Sequence, residues 1–325
     1  MDNNRIYLAP MVGRTDEHYR FFIRILSKNI SLYTEMITCD AFLFTERKNY
    51  CVKPHENNLT IQLAGSEPKK YGECAKIIQD RGYHEININI GCPSNKVVKG
   101  KFGACLMKSP NMVADFIYEI KENCSLPISI KTRLGLDYDE NIDLLLSLIN
   151  KTKEAGCNKY FIHARNAILN GISPKKNRRI PVLRYSDALR VKNLYPELEI
   201  ILNGGIEDAQ TIKKTIKQFN GIMIGRKIYD DPMFLIDIEK DIYDKNNNIT
   251  RKEIAETYSL YAIQESKKGI SNYFLLRHLC HLYYNTVSSK KWKKFIHNII
   301  QNNIEINKIT EFEELFYEEK IKTYS

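Results

Sequence analysis

The sequence predicts an α/β fold: a TIM (β/α)8 barrel over residues 1–240, followed by a small C-terminal all-helical domain over residues 241–325. Three observations carry this expectation. Short β-rich runs recur through the first part of the chain, amphipathic stretches separate them, and no β-rich run follows Asp241. An eight-stranded barrel takes about 250 residues, which matches the length of that first part. A doubly wound open sheet is the other closure of the same pattern, but it gathers its functional residues at one switch point. Here polar groups stand after nearly every run, as barrel enzymes arrange them.

The runs lie at 6–8, 32–34, 59–63, 86–90, 128–130, 160–162, 200–202 and 222–224. Helical patterns at 71–81, 112–123, 141–155 and 209–219 give the chain enough length to return to the starting end of a neighbouring parallel strand. Beyond residue 241 the texture changes. Residues 244–248 read as a polar linker, and helical patterns follow at 252–267, 273–284, 291–302 and 311–322, as in a small bundle.

With 325 residues and 43% hydrophobic side chains the chain can close a sizeable core, which excludes wholesale disorder. No apolar stretch approaches the roughly 20 residues a membrane helix needs. The start, Met1-Asp2-Asn3-Asn4-Arg5, leads straight into Ile6 without the apolar region of a signal peptide. A cytoplasmic protein with no membrane partner is expected. The 49 Lys and Arg exceed the 39 Asp and Glu by 10 charges, which suggests a polyanionic partner. The 8 cysteines are scattered, with no C-x-x-C pair and no Cys/His spacing typical of zinc or iron–sulfur sites, so no metal is expected. Most read as reduced, buried small side chains. Cys92 departs from that pattern.

The chemistry-bearing residues follow the strands in order. Ala9-Pro10-Met11-Val12-Gly13 forms a backbone-rich loop after the first. Gln62 sits inside the third, where a buried amide must be satisfied either by the fold or by the donor and acceptor edge of a heterocycle. The fourth ends in Gly91-Cys92-Pro93-Ser94, a stiffened turn that places the Cys92 thiol at the barrel mouth as a nucleophile or proton donor. Lys96, Lys99 and Lys101 make its surroundings basic, and Gly100, Gly103 and Ala104-Cys105 form a low-bulk segment suited to a lid. Lys131 and His163 each end an apolar strand, and a lone lysine there must meet an anionic partner or lose its charge. Alternation puts Arg165 on the same face as His163. Asn203-Gly204-Gly205 and Gly225-Arg226 end the last two strands, where barrels commonly bind phosphate. Flavin mononucleotide (FMN) is a natural candidate for such a mouth.

Several segments, in order, resemble one family: Ala9-Pro10-Met11, Leu32-Tyr33-Thr34-Glu35-Met36, Gln62-Leu63-Ala64-Gly65-Ser66, Asn89-Ile90-Gly91-Cys92-Pro93-Ser94, Gly103-Ala104-Cys105-Leu106-Met107, Lys131-Thr132-Arg133, His163-Ala164-Arg165, Asn203-Gly204-Gly205-Ile206 and Gly221-Ile222-Met223-Ile224-Gly225-Arg226. The chain resembles the tRNA-dihydrouridine synthases, within them the A-type bacterial subfamily. That resemblance implies an FMN-dependent barrel with a helical tRNA-binding domain, acting as a monomer on D-loop uridines around positions 20 and 20a. It implies FMN held by Pro10, Met11, Val12, Gln62, Lys131, His163, Asn203, Gly204, Gly205, Gly225 and Arg226. It further implies hydride delivery from reduced FMN to C6 of uracil, a proton from Cys92 to C5, and re-reduction by NADPH or NADH. Asn89 would contact the flipped-out uracil, and Lys175, Arg178, Lys290 and Lys293 would contact tRNA. The subfamily carries arginines at the last two positions; lysine keeps the charge but loses the planar fork. Trp292, the single tryptophan, lies among these lysines and reads as part of an RNA surface.

The resemblance therefore sharpens the positive excess into two basic surfaces flanking a flavin pocket. An alternative is an FMN-dependent barrel oxidoreductase acting on a free small molecule, similar to dihydroorotate dehydrogenase, which leaves the helical tail and the lysine clusters unexplained. An RNA-binding protein without catalysis would have no need of Cys92 and the intact pocket positions.

Overall fold

The computed structural model describes residues 6–44 and 50–314. Its eight strands are β1 (Ile6–Leu8), β2 (Tyr33–Thr38), β3 (Thr60–Ala64), β4 (Glu85–Ile90), β5 (Ile128–Arg133), β6 (Lys159–His163), β7 (Glu199–Asn203) and β8 (Gly221–Ile224). All are parallel; from β2 to β8 each pairs with its sequence neighbour, and β1 pairs with β8. The ring closes just ahead of β2: Leu8 N donates to Ser31 O at 2.9 Å and Ser31 N to Ile6 O at 3.0 Å. The expected TIM-type barrel is the observed one. Strands β2 and β5 run further than their apolar runs, so Lys131 and Arg133 lie within β5.

Alternation divides every strand between two faces. In β4, Ile86, Ile88 and Ile90 are completely buried on one face, while Glu85, Asn87 and Asn89 turn to the other. The barrel interior is correspondingly split. On one side Tyr7, Ala9, Tyr33, Phe161, Ile201 and Met223 form an apolar cluster. Its rings meet edge to face, with centroids 5.0 Å apart for Tyr7 and Phe161 and 5.5 Å for Tyr33 and Phe161, the geometry ring quadrupoles favour. On the other side β3, β4 and β5 contribute Gln62, Asn87, Asn89 and Ser129, which bond one another. Outside the ring, the helices Pro68–Asp80 and Pro110–Asn123 both start on a proline, where a missing N–H costs nothing. Tyr71 stacks on Phe116 between them at 4.4 Å.

Packing groups the chain into two compact units, each made of two pieces. One is the stretch ending at Gly13 with Ile30–Gly225; the other is Arg14–Asn29 with the chain from Arg226 onward. The sequence suggests a single division near residue 240, whereas the helix Glu17–Leu26, which follows β1, groups with the helices after β8. Its contacts explain this. Phe21 stacks on Tyr261 at 3.8 Å, Asn247 Nδ2 donates to Leu26 O at 2.9 Å, and Asn29 Nδ2 donates to Glu239 at 2.6 Å. Asp16 caps this helix through Tyr19 N at 2.9 Å and is also held by Arg277 and by His278 Nε2 at 3.0 Å. Burial pushes the Asp16 carboxyl up, but these partners outweigh it and hold it well below the usual carboxylate range.

In this second unit the helix Arg251–Ser266 opens on a reciprocal Thr250–Glu253 capping box. The pattern at 273–284 resolves into a short α-helix, Asn272–Leu276, continued as 3-10 turns over Arg277–His281. The pattern at 311–322 lies largely outside the described residues. Trp292 corrects the reading of an RNA surface: it is completely buried, its Nε1 donates to Leu279 O at 2.6 Å, and Tyr283 and Phe312 pack on it at 4.6 and 4.9 Å. The helix Ser289–Gln301 turns Trp292, Ile296 and Ile299 inward and leaves Lys290, Lys291 and Lys294 exposed, with Lys293 half-buried.

Candidate active site at the barrel mouth

The C-terminal ends of the strands gather most of the residues named from sequence. Cys92 stands on the turn after β4, half-buried, its Sγ 3.7 Å from Ser94 Oγ. The turn is held by the Asn89 side chain, whose Oδ1 accepts from Gly91 N at 3.2 Å and Cys92 N at 3.0 Å. It is held from outside by the segment expected to be a lid: Ala104 N donates to Cys92 O at 3.0 Å. Gly103 makes this closeness possible. Its φ is +71°, and a Cβ there would stand 2.4 Å from Val97 Cγ1 and 2.7 Å from Cys92 O.

Lys131 Nζ donates to Asn203 Oδ1 at 2.9 Å, and Asn203 Nδ2 donates to Met223 O at 2.7 Å. This links β5, β7 and β8 at the mouth. Lys131 keeps some exposed surface, yet its amine sits among enough protein atoms that desolvation pulls its pKa down to about 7. Arg133 adds to that fall and Cys92 opposes it. The lysine's bonded partner is a neutral amide oxygen, so an anionic or electron-rich ligand edge would satisfy the ammonium better than the protein does.

His163 ends β6 beside Gly204, where a Cβ would lie 2.3 Å from His163 Cδ2; Gly204 has φ +105°, so only glycine lets the backbone pass beneath the imidazole. Gly225 faces Met11, whose Sδ would be 3.5 Å from a Cβ at that position. The first loop is anchored by Ala9 N to Ile224 O at 2.8 Å; along it Pro10 and Met11 are half-buried and Val12 is exposed. Gln62 bonds Asn87 and Asn89, so its amide is satisfied by the fold. Arg226 opens the helix Arg226–Asp230 of the second unit, and Arg165 Nε donates to Pro181 O at 2.8 Å.

Lys175 lies exposed on the loop after β6, beside the 3-10 turn Lys176–Arg178, in which Arg178 is half-buried. Two residues that sequence reasoning missed shape this loop. Asn177 is completely buried, its amide accepting from Ile168 N at 2.8 Å and donating to Ile168 O at 2.7 Å. Arg133 Nε donates to Gly91 O at 3.2 Å, and its Nη1 to Asn166 O at 3.1 Å and Asn177 O at 3.2 Å. One guanidinium thus ties the Cys92 turn to the basic loop. The signals for Arg133 are its place in the matching segment Lys131-Thr132-Arg133 and strand alternation, two residues after Lys131, but neither gives it a role; nothing in the sequence marks Asn177 as buried.

A sequence model of the family described as Dihydrouridine synthase (Dus) matches residues 7–318. The chain belongs to the dihydrouridine synthase family. Among the family's curated proteins, the chain is 38% identical to the tRNA-dihydrouridine(20/20a) synthase of Synechocystis over 90% of its own length and 88% of the relative's. It is 37% identical to the protein of the same name from Vibrio parahaemolyticus, over 90% of each chain. The solved structure of histamine dehydrogenase from Rhizobium sp. 4-9 matches with a TM-score of 0.51 at 13% identity, over 74% of this chain and 46% of that one, a likeness of fold. Among the described residues of this dihydrouridine synthase, no group of three or more His, Cys, Asp or Glu could hold a metal ion, and no helix is long and apolar enough to cross a membrane.

Proposed function

We propose that this dihydrouridine synthase reduces uridine to 5,6-dihydrouridine in the D-loop of tRNA, at positions 20 and 20a, with bound FMN and with NADPH as the reductant. The observation that carries the reading is the Cys92 thiol held on a turn at the barrel mouth, with Lys131 towards the end of β5 and His163 at the end of the neighbouring β6. The donor set fits FMN: Lys131 is a half-buried amine bonded to a neutral amide oxygen, and the bare backbone of Gly204 and Gly205 suits close approach. Pro10, Met11, Val12, His163, Asn203 and Gly225 complete the holding residues, and the resemblance adds Gln62, whose amide already bonds Asn87 and Asn89, and Arg226, next in the chain after Gly225. A cytoplasmic, monomeric protein belongs to the same reading.

The flavin, when bound, supplies the hydride that reaches C6 of the uracil. The rest falls to the chain. Cys92 gives its proton to C5 as the ring is reduced, so one hydride and one proton saturate the double bond. Ser94 Oγ gives the thiol proton a partner before transfer. Asn89 spends its oxygen and one N–H on the Cys92 turn and Gln62, which leaves its second N–H for a uracil carbonyl. Lys175 and Arg178 on one unit, and Lys290 and Lys293 on the other, neutralise tRNA phosphates. Incubating the purified protein with FMN, NADPH and uridine-containing tRNA tests the reading. Position-resolved mapping should find dihydrouridine at 20 and 20a, and tRNA that emerges unmodified refutes it.

Two further outcomes are expected. Lys175→Ala with Arg178→Ala should raise the tRNA KM and flatten the slope of log affinity against log salt by about 0.8 for each phosphate no longer neutralised; an unchanged slope places the RNA elsewhere. The Lys131 amine, at about 7 in the ligand-free protein, should move up when FMN covers it. Binding then takes up protons, and affinity falls as pH rises above neutral. Calorimetry in buffers of different ionisation enthalpy, at about pH 8, should read that uptake and lose it in Lys131→Met. Binding without proton exchange contradicts the assignment.

A further inference from the structure

Beneath the Cys92 turn, polar side chains form an unbroken hydrogen-bonded chain down to the opposite end of the barrel. Asn89 Nδ2 donates to Gln62 Oε1 at 2.8 Å, Gln62 Nε2 to Asn87 Oδ1 at 2.6 Å, and Asn87 Nδ2 to Ser129 Oγ at 2.7 Å. Ser129 Oγ in turn donates to Glu85, whose other oxygen takes the Lys159 ammonium at 2.8 Å. Glu85 and Lys159 are the first residues of β4 and β6, at the end of the barrel away from Cys92. Glu85, Asn87 and Ser129 are buried, and the Lys159 ammonium lies over the rings of Tyr7 and Phe161, 5.1 and 5.6 Å from their centroids. Burial works against the charge of Lys159, but Glu85 outweighs it and raises the lysine's pKa.

The direction of every bond in this chain is dictated from both ends. A carboxylate paired with an ammonium only accepts, so Ser129 must donate to it and therefore accepts from Asn87. Asn87 then offers its oxygen to Gln62, and Gln62 offers its oxygen to Asn89. That leaves the Asn89 oxygen for the backbone N–H groups of Gly91 and Cys92, which only donate. No amide can flip without breaking a bond at each neighbour, and buried amides left unpaired are costly.

We infer that Glu85 and Ser129 are positioning residues for the reaction: through Asn87 and Gln62 they fix the orientation of the Asn89 amide, and so the place of the Cys92 thiol. This rests on the reading of Cys92 as the proton donor. Ser129→Ala cuts the chain while leaving the Glu85–Lys159 pair intact. In the full-length, FMN-loaded protein it should lower kcat at least about tenfold, the scale of a misplaced reacting group, with the tRNA KM unchanged. The rate at which iodoacetamide alkylates Cys92, read by peptide mass spectrometry, should change by about threefold or more. In an Asn89→Ala background both effects of Ser129→Ala should shrink below about twofold, since the link they act through is gone. Should the alanine variant fail to fold, Ser129→Cys, of similar size and a weak donor, provides the same comparison. A kcat within about twofold of wild type, or losses that multiply in the double variant, overturns the inference. Wild-type protein that makes no dihydrouridine refutes the proposed function instead, and the alkylation arm still tests the relay.

Discussion

Cys92→Ala should lower kcat for uridine reduction by about 10²–10⁴-fold, the usual contribution of a positioned general acid, while flavin absorbance and the tRNA KM stay near wild type. The magnitude follows from the site. The thiol is the titratable group on a turn that two backbone N–H groups, one carbonyl and the Arg133 guanidinium all immobilise, so water replacing it would not be held at the same point. Cys92→Ser should lose nearly as much, because an alcohol is a far weaker acid than a thiol. Four of the other cysteines are placed where they do not substitute: Cys39, Cys74 and Cys157 are buried, and Cys105 Sγ is turned to Phe102 O at 3.1 Å. Turnover by Cys92→Ala within a few-fold of wild type would assign the proton to another group.

The second large effect is expected of Gly103→Ala. The left-handed backbone alone costs about 1–2 kcal/mol for an L side chain, and here the added methyl also meets Val97 and the Cys92 carbonyl at 2.4 and 2.7 Å. Val97 is buried, and the Cys92 carbonyl is the acceptor for Ala104 N, so neither yields without moving the turn. A loss of about 3 kcal/mol or more is expected, together with a fall in kcat on the scale of 10²-fold, read by thermal unfolding and by dihydrouridine assay on the same sample. Gly171→Ala is the control: φ is +85° there, but nothing lies within 4 Å of the new Cβ, so stability should fall by only about 1 kcal/mol. If both variants lose the same stability and Gly103→Ala keeps its kcat, the close approach at Gly103 has no part in placing the thiol.

Strands were legible because β-branched runs such as Ile86, Ile88 and Ile90 carry their periodicity openly, and the mouth was legible because Cys92, Lys131 and His163 are chemically conspicuous where a strand ends. What stayed hidden was hidden for physical reasons. Glu85, Asn87 and Ser129 are polar residues alternating with apolar ones, a pattern that also describes a strand facing water; only closure of the ring turns that face inward. Arg133 and Asn177 act mainly on backbone groups far away in sequence, and such partners leave no local trace. Trp292 did carry a signal, since Trp292, Ile296 and Ile299 share a helix face, but the flanking lysines made the segment read as surface.

The second unit has a consequence for biosynthesis. Its first piece, Arg14–Asn29, leaves the ribosome long before the chain from Arg226 onward that contains its partners. At elongation rates of about 5–20 residues per second, Phe21 and Phe22 wait on the order of ten seconds or more for Tyr258 and Tyr261. During that interval a nascent amphipathic helix carries an uncovered aromatic stripe, a natural target for holdase chaperones. A fragment begun at residue 241 would lack that helix altogether, and with it Asp16, the carboxylate on which Arg277 and His278 converge.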